Sequence, residues 1–411
     1  MHRRIAQLPL HRGQAPPWLF RRMVRLAGLI AQAVVDEYGP GEMLRRLADP
    51  WWFQAFGCVL GFDWHSSGLT TVTCGALKEA ARERGADLGF FVAGGKGATS
   101  RRTPEEIERA ADRHAITDGE RLVAASRLSA KVDSAAVQDG FQLYHHCFLF
   151  APDGTWAVVQ QGMNERTGWA RRYHWLSETA ASGESDPHHG IEDAAFERRC
   201  ETPAFTELLN AVASEGEANR RATLEMLRER PDRLLAEVER ATRGPTLFAP
   251  RRHRVLSADV NVRRLRDMLV LGHETQPEAF SQLLLMPRLG PVALRSLVLV
   301  AELIYDAPVS RRDPATPPPT AGESAAAAGK GVDTAGTSTE PDATRGRRWA
   351  DYSHAHGGKD GTPFPVDRRV YDHSIAVLER ALQRARLGDH DRVEALKRLA
   401  AWERRAGRCD R

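Results

Sequence analysis

Residues 141–163 read FQLYHHCFLFAPDGTWAVVQQGM. Two apolar runs, rich in aromatic and β-branched residues, flank the reversal Ala-Pro-Asp-Gly-Thr. Proline and Asp-Gly supply the backbone conformations a tight turn needs, so a β-hairpin is expected here. Successive strand residues face opposite ways. His145 and His146 therefore point apart, as do Gln160 and Gln161, and one of each pair is expected to face a site.

Helical patterns surround this hairpin. Residues 16–39 open on Pro-Pro, close on Gly39 and carry apolar residues at helical spacing. Residues 41–61 read as two short helices split at Pro50, and residues 71–85, 104–114 and 119–133 as further helices. LGFFVAGG, residues 88–95, reads as a short buried strand. The first block, 1–176, is thus a mixed domain with a small sheet. A polar loop spans 177–193, and residues 194–310 are almost wholly helical in pattern. Residues 311–348 are mostly Pro, Ala, Gly, Ser and Thr with scattered charge. Such a tract cannot bury enough apolar surface to offset its ordering entropy, so it reads as a disordered insertion. Residues 349–411 are expected to complete the helical domain. The fold class is α+β: a mixed N-terminal domain, then a mostly helical one.

The chain has 411 residues, of which 42% are hydrophobic and 27% charged. That is the composition of an ordinary soluble protein with room for two or three domains. A formal net charge of +4 admits a nucleic-acid partner without requiring one. The five cysteines are scattered and form no C-x-x-C pair. They read as reduced thiols of a cytoplasmic protein, not a disulfide framework or zinc site. No resident metal or cofactor is expected. The N-terminus lacks the apolar core of a secretory signal, and no apolar run is long enough to span a bilayer, so no membrane partner is expected.

Residues 283–305, LLLMPRLGPVALRSLVLVAELIY, break an apolar helical run with Pro287, Gly290 and Pro291. The pattern is that of two helices around a tight turn. Gly290 is expected to take a positive φ there and to let another backbone approach. Pro291 would open the second helix, whose unused N–H groups can bind a phosphate. Arg288, Leu289, Gly290, Val292 and Arg295 are the expected DNA contacts. A helical turn packed in the core fits the same letters.

The first block carries further polar residues. GGKG places Lys96 in a glycine-rich loop whose spacing is wrong for a Walker motif. Lys96, Lys131, Arg171 and Arg172 are further expected DNA contacts, and Asp133, Asp139, His145 and Gln160 are candidate catalytic groups. A strand-turn-strand preceded by Asp139 admits a metal-dependent nuclease, in which Asp133, Asp139 and Gln160 would hold Mg²⁺ or Mn²⁺.

The turn at 286–291 resembles the helix-hairpin-helix of the DNA glycosylase superfamily. In that group a Val-Asp opens a helix beyond the hairpin, and its Asp is the catalytic carboxylate. By resemblance Val366-Asp367 would take that place, with Asp367 stabilising the positive charge that develops on the sugar. Asp at a helix start is also a common N-cap. The lyase-active members carry Lys where this chain has Val292, so the resemblance implies a monofunctional glycosylase. Most of the chain further resembles domain-of-unknown-function family 763. The matching phrases include LPLHRGQAPPWL, DPWWFQAFGCVLGFDWHSSGLTT, SRLSAKVD, QDGFQLYHH, WAVVQQGMN, ARRYHW and HGGKDGTPFPVDR, the last holding Lys359, a further candidate DNA contact. The expected function is DNA binding in repair or processing, as a glycosylase. A nuclease, or a DNA-binding module without catalysis, are the alternatives.

Overall fold

The computed structural model describes residues 5–10, 15–62, 66–180, 208–242, 261–311, 313 and 368–385. The chain divides into a sheet unit (Leu8–Arg127, Leu143–Ala180 and Tyr352–Arg411) and a helical unit (Met1–Gln7, Leu128–Gln142 and Ala181–Asp351). The fold class is α+β, as expected.

Proline sets the rhythm of the sheet unit's first half. α1 (Pro17–Tyr38), α2 (Pro40–Ala48) and α3 (Pro50–Val59) each open on a proline, whose missing N–H costs nothing at a helix start. α1 stops at Gly39, where φ is +84°, and Asp49 caps α3 by accepting the Trp52 N–H at 2.9 Å. α4 (Gly68–Arg84) packs on α1.

The sheet contains β1 (Ile5–Pro9), β2 (Phe91–Lys96), β3 (Gln142–Phe150), β4 (Trp156–Asn164) and β5 (Trp169–Leu176), in the order β1-β5-β4-β3-β2. The expected hairpin is β3–β4, its turn closed by Ala151 N–H donating to the Thr155 carbonyl at 2.9 Å. β5 runs antiparallel to β4, with Gln161 opposite Arg172, and β2 antiparallel to β3, with Lys96 opposite His145. The strand expected to be buried, β2, lies at the sheet edge. α5 (Thr103–His114) packs on it, and α6 (Gly119–Lys131) follows.

One face of the sheet presents Cys147, Leu149, Ala157 and Val159 to a core that includes Met23, Leu47, Phe53 and Leu77 of α1 to α4. The other carries Phe148, stacked on Trp156 at 5.6 Å and beside Phe150 at 6.0 Å. β4 and β5 are therefore buried along nearly their whole length.

The helix Arg368–Ala385 was expected to complete the helical domain. It belongs to the sheet unit and packs on α1. Tyr371, Ile375, Leu378 and Leu382, at helical spacing, reach the sheet unit's core, and the buried Tyr371 hydroxyl donates to the Leu60 carbonyl at 2.8 Å. Arg22 clasps both oxygens of Asp372 at 2.7 Å, and Arg25 meets Glu379 at 2.6 Å.

The helical unit holds α7 (Glu217–Arg228), α8 (Pro231–Thr242), α9 (Val262–Thr275), α10 (Phe280–Leu285) and α11 (Pro291–Tyr305). α11 packs against α7, α8 and α9. Gly272 of α9 lets Leu227 of α7 approach: a β-carbon there would lie 2.5 Å from a leucine methyl. Asn219, buried in α7, donates to the carbonyls of Val298 at 2.8 Å and Ala307 at 2.7 Å. Residues 128–142 were expected in the first domain. They cluster with this unit because Val137 and Gln138 pair with Asn210 and Leu209. The tract 314–348 and most of the loop 177–193 lie outside the described residues. Among the described residues no helix is long and apolar enough to cross a membrane.

Candidate functional site

In the helical unit, α10 and α11 are successive helices joined by residues 286–290. One expectation is corrected. Gly290 sits at φ −124°, ψ 179°, an extended conformation open to any residue, and the left-handed position is Arg288 at φ 66°. Glycine at 290 is therefore not required by its φ. Its effect is spatial, since a β-carbon there would meet nothing within 4 Å. Gly290 caps α11 without a side-chain bond, Pro291 stands in the first turn, and that turn holds no acidic residue. The N–H groups of Val292 and Ala293 are the ones a helix does not use itself.

Pro287, Arg288, Pro291 and Val292 are exposed around this turn. Leu289, expected at the DNA, is 1% exposed and anchors the turn in the core. Lys131 donates to the Leu289 carbonyl, and burial lowers its pKa. Gln138 donates to the Pro291 carbonyl at 2.8 Å and accepts from half-buried Arg295 at 3.4 Å. Lys131 and Arg295 thus brace the turn. Next to it, the Asn261 N–H donates to Ser296 Oγ at 3.0 Å, and that hydroxyl donates to the Val292 carbonyl at 3.0 Å. The start of α9 therefore adjoins the start of α11 and brings exposed Arg263 and Arg264 with it.

The polar residues of the sheet unit are mostly interior. Arg171 and Arg172, expected to contact DNA, are each 0% exposed, so neither side chain can meet a phosphate at the surface. Arg172 donates to Gln54 at 2.8 Å, Thr70 at 3.3 Å, the Pro50 carbonyl at 3.2 Å and His174 Nε2 at 2.8 Å, and lies over the Phe53 ring. Burial among these neutral acceptors lowers its pKa to about 9. Gln161 accepts from Thr70 and is 2.5 Å from the Tyr144 hydroxyl on the same network. On the opposite face, His146 bridges Ser126 Oγ at 2.9 Å and Gln160 Oε1 at 2.7 Å. That order resembles a nucleophile, base and orienting group, but all three are at most 4% exposed. Gln160 orients a histidine in a closed interior.

Asp133 and Asp139 lie in the helical unit, 1% and 2% exposed, and Asp139 accepts the Phe141 N–H at 3.1 Å in a local turn. Among the described residues no group of three His, Cys, Asp or Glu could hold a metal ion, so the carboxylate cluster a nuclease needs is not found there. Asp367 and Lys359 lie outside the described residues.

The sheet unit also has an open cavity of about 660 Å³ between α1, α4 and the β2–β3 edge. Its walls include Phe20, Gly75, Cys74, Lys96, His145 and Cys147. His145 is 1% exposed, and neither ring nitrogen has a hydrogen-bond partner. Burial, with lesser repulsion from His146 and Lys96, lowers its pKa to about 3, so the ring is neutral. Gly94, Gly95 and Lys96, expected in a glycine-rich loop, end strand β2 beside it, and Gly94 is fixed from behind: Glu106 accepts the Gly94 N–H at 2.8 Å, and Lys78 joins Glu106 at 2.6 Å to the Gly94 carbonyl at 2.7 Å.

A family model described as "Protein of unknown function (DUF763)" matches residues 4–366. The chain belongs to the DUF763 family. Neither a curated protein nor a solved structure matches it. The DUF763 match takes in the hairpin and the cavity residues and ends just before the helix Arg368–Ala385. In this DUF763 chain the sequence reading missed two features. Arg263 and Arg264 join the hairpin through a contact 35 residues long in sequence, between Asn261 and Ser296. The cavity draws its lining from four separate segments, which no local spacing brings together.

Proposed function

We propose that this DUF763 protein binds double-stranded DNA, with the α10–α11 hairpin gripping the phosphate backbone. The observation that carries the proposal is the open approach at Gly290, in front of an uncapped helix start that has no acid in its first turn. Backbone N–H groups and the positive end of the helix dipole favour a phosphate at such a place. Exposed Arg288, Arg263 and Arg264 add charge around it. Contacts of this kind position a duplex without reading its sequence.

The resemblance to helix-hairpin-helix glycosylases extends the proposal to repair chemistry, with Asp367 as the carboxylate that supports loss of a base. An oxocarbenium-like centre needs such a neighbour.

The test is fluorescence anisotropy on a duplex across a salt series. Binding should weaken steeply as salt rises. Gly290→Val should keep the melting temperature, because the backbone there suits any residue, yet lose about tenfold or more in affinity through blocked approach. Unchanged affinity in that variant, or no binding at low salt, would overturn the reading. For the chemistry, duplexes carrying damaged bases are incubated and treated with alkali. Wild type should give strand breaks at the lesion and Asp367→Asn should not, whereas full activity in Asp367→Asn rejects the glycosylase role.

A further inference from the structure

We propose that the cavity of the sheet unit is a binding site for a nucleoside monophosphate group, either free or at a position in a single strand. The proposal stands on the sheet unit alone and does not depend on the hairpin.

The first argument is His145. A neutral imidazole offers one donor and one acceptor. Buried polar groups are normally paired, and an unpaired one calls for a reason. His145 lines the cavity, and neither ring nitrogen has a partner. The two nitrogens point apart, so a ligand in the cavity meets one of them, as donor or as acceptor. Among the described residues no set of three ligands accompanies the ring for a metal ion. A nucleobase edge carries both donors and acceptors and can pair with the nitrogen it meets.

The second argument is shape. Gly75 has no side chain, and a β-carbon there would touch the Phe20 ring at 3.7 Å. The missing carbon leaves the α4 backbone and the Phe20 ring open to the cavity. Cys74 and Cys147 line the floor. Burial raises the Cys74 pKa well above the usual thiol value, so that thiol is neutral and the floor apolar. An apolar floor beside an aromatic ring and a polar reading group suits a heteroaromatic ring.

The third argument is charge. Two of the lining cations are spent: Arg25 on Glu379 at 2.6 Å and Lys78 on Glu106 at 2.6 Å. Exposed Lys96, whose ammonium lies 5.9 Å from the Tyr144 ring centroid, and exposed Arg21 remain at the mouth. Of the lining acids, Glu79 is tied to Arg82 at 2.8 Å, which leaves Glu83 as the counter-charge. Two cations at the rim above an apolar floor match a ring with an anionic tail.

The test is isothermal titration calorimetry of the full chain with the four common nucleoside 5′-monophosphates, their nucleosides, inorganic phosphate and a single-stranded hexanucleotide. At least one monophosphate should bind, and its nucleoside and inorganic phosphate should each bind about tenfold more weakly or less. Lys96→Ala, an exposed change, should weaken the monophosphate about tenfold and leave the nucleoside unchanged. His145→Leu should weaken both, with thermal melting to show that the variant is folded. Competition between hexanucleotide and monophosphate makes a strand the natural source, and its absence makes the source a free nucleotide; both outcomes support the site. No binding of any monophosphate at millimolar concentration overturns the proposal. So does binding that neither Lys96→Ala nor His145→Leu alters. Gly290→Val should not change monophosphate binding, so this site and the hairpin fail separately.

Discussion

Replacing His145 with leucine should stabilise the protein, and more so in acid. The ring is 1% exposed with both nitrogens unpartnered. Burying an unsatisfied polar group costs about 1–3 kcal/mol, a cost that leucine of similar size does not carry. At pH 7 the variant should therefore gain on the order of 1 kcal/mol or more. Proton linkage adds a second effect. The unfolded chain has the ordinary histidine pKa of 6.5, and the folded chain holds it at about 3, chiefly through burial. Between those values the unfolded state binds a proton that the folded state refuses. Stability is therefore full above pH 6.5 and falls by about 1.4 kcal/mol per unit as the solution is acidified towards pH 3. At pH 5 the wild type should have lost roughly 2 kcal/mol that the leucine variant keeps. Urea unfolding at pH 7 and pH 5, followed by tryptophan fluorescence, measures the gap between the two proteins. The reasoning is refuted if the gap is the same at both pH values, or if the variant is the less stable protein at pH 7. A saturating ligand that pairs one of the nitrogens should also narrow the advantage at pH 7, because the desolvated ring would no longer stand alone.

Two further substitutions probe the frame around the cavity. Gly94 has φ +88°, and a β-carbon there would lie 2.3 Å from the His146 carbonyl oxygen and 2.6 Å from Thr103 Oγ1. Gly94→Ala should cost about 3 kcal/mol or more, read as a fall in melting temperature, and an unchanged melt would contradict the β2–β3 register. Tyr371→Phe removes a buried bond of 2.8 Å to the Leu60 carbonyl. It should cost about 1–2 kcal/mol and speed proteolysis within residues 368–385, whereas equal cleavage of both proteins would show that this helix is held by other contacts.

What the sequence made legible follows from where each signal resides. The hairpin β3–β4, the proline-led helices and the α10–α11 turn are local patterns, and local patterns survive without a fold. The long-range assignments were the ones that moved. The apolar positions of residues 368–385 announce an amphipathic helix, but nothing in them says whether it covers α1 or the helical unit. Tyr371 settles that through a partner 311 positions away. The largest misreading has a single physical cause. Alternation along a strand predicts that one of each polar pair faces a site and the other solvent or a packed layer, and that rule is silent on how deeply the sheet is covered. Here helices α1 to α4 cover one face, and Ser126 of α6 meets the other. Every polar side chain on the central strands must then find its partner indoors. Arg172, His146, Gln160 and Gln161 each do, with carbonyls, hydroxyls and ring nitrogens in place of phosphate or metal. His145 departs from that pattern. It shares the same strand and the same burial, but opens onto a cavity and has no partner within the protein. A buried ring with neither nitrogen paired, beside a cavity, marks the place where a ligand supplies the missing half.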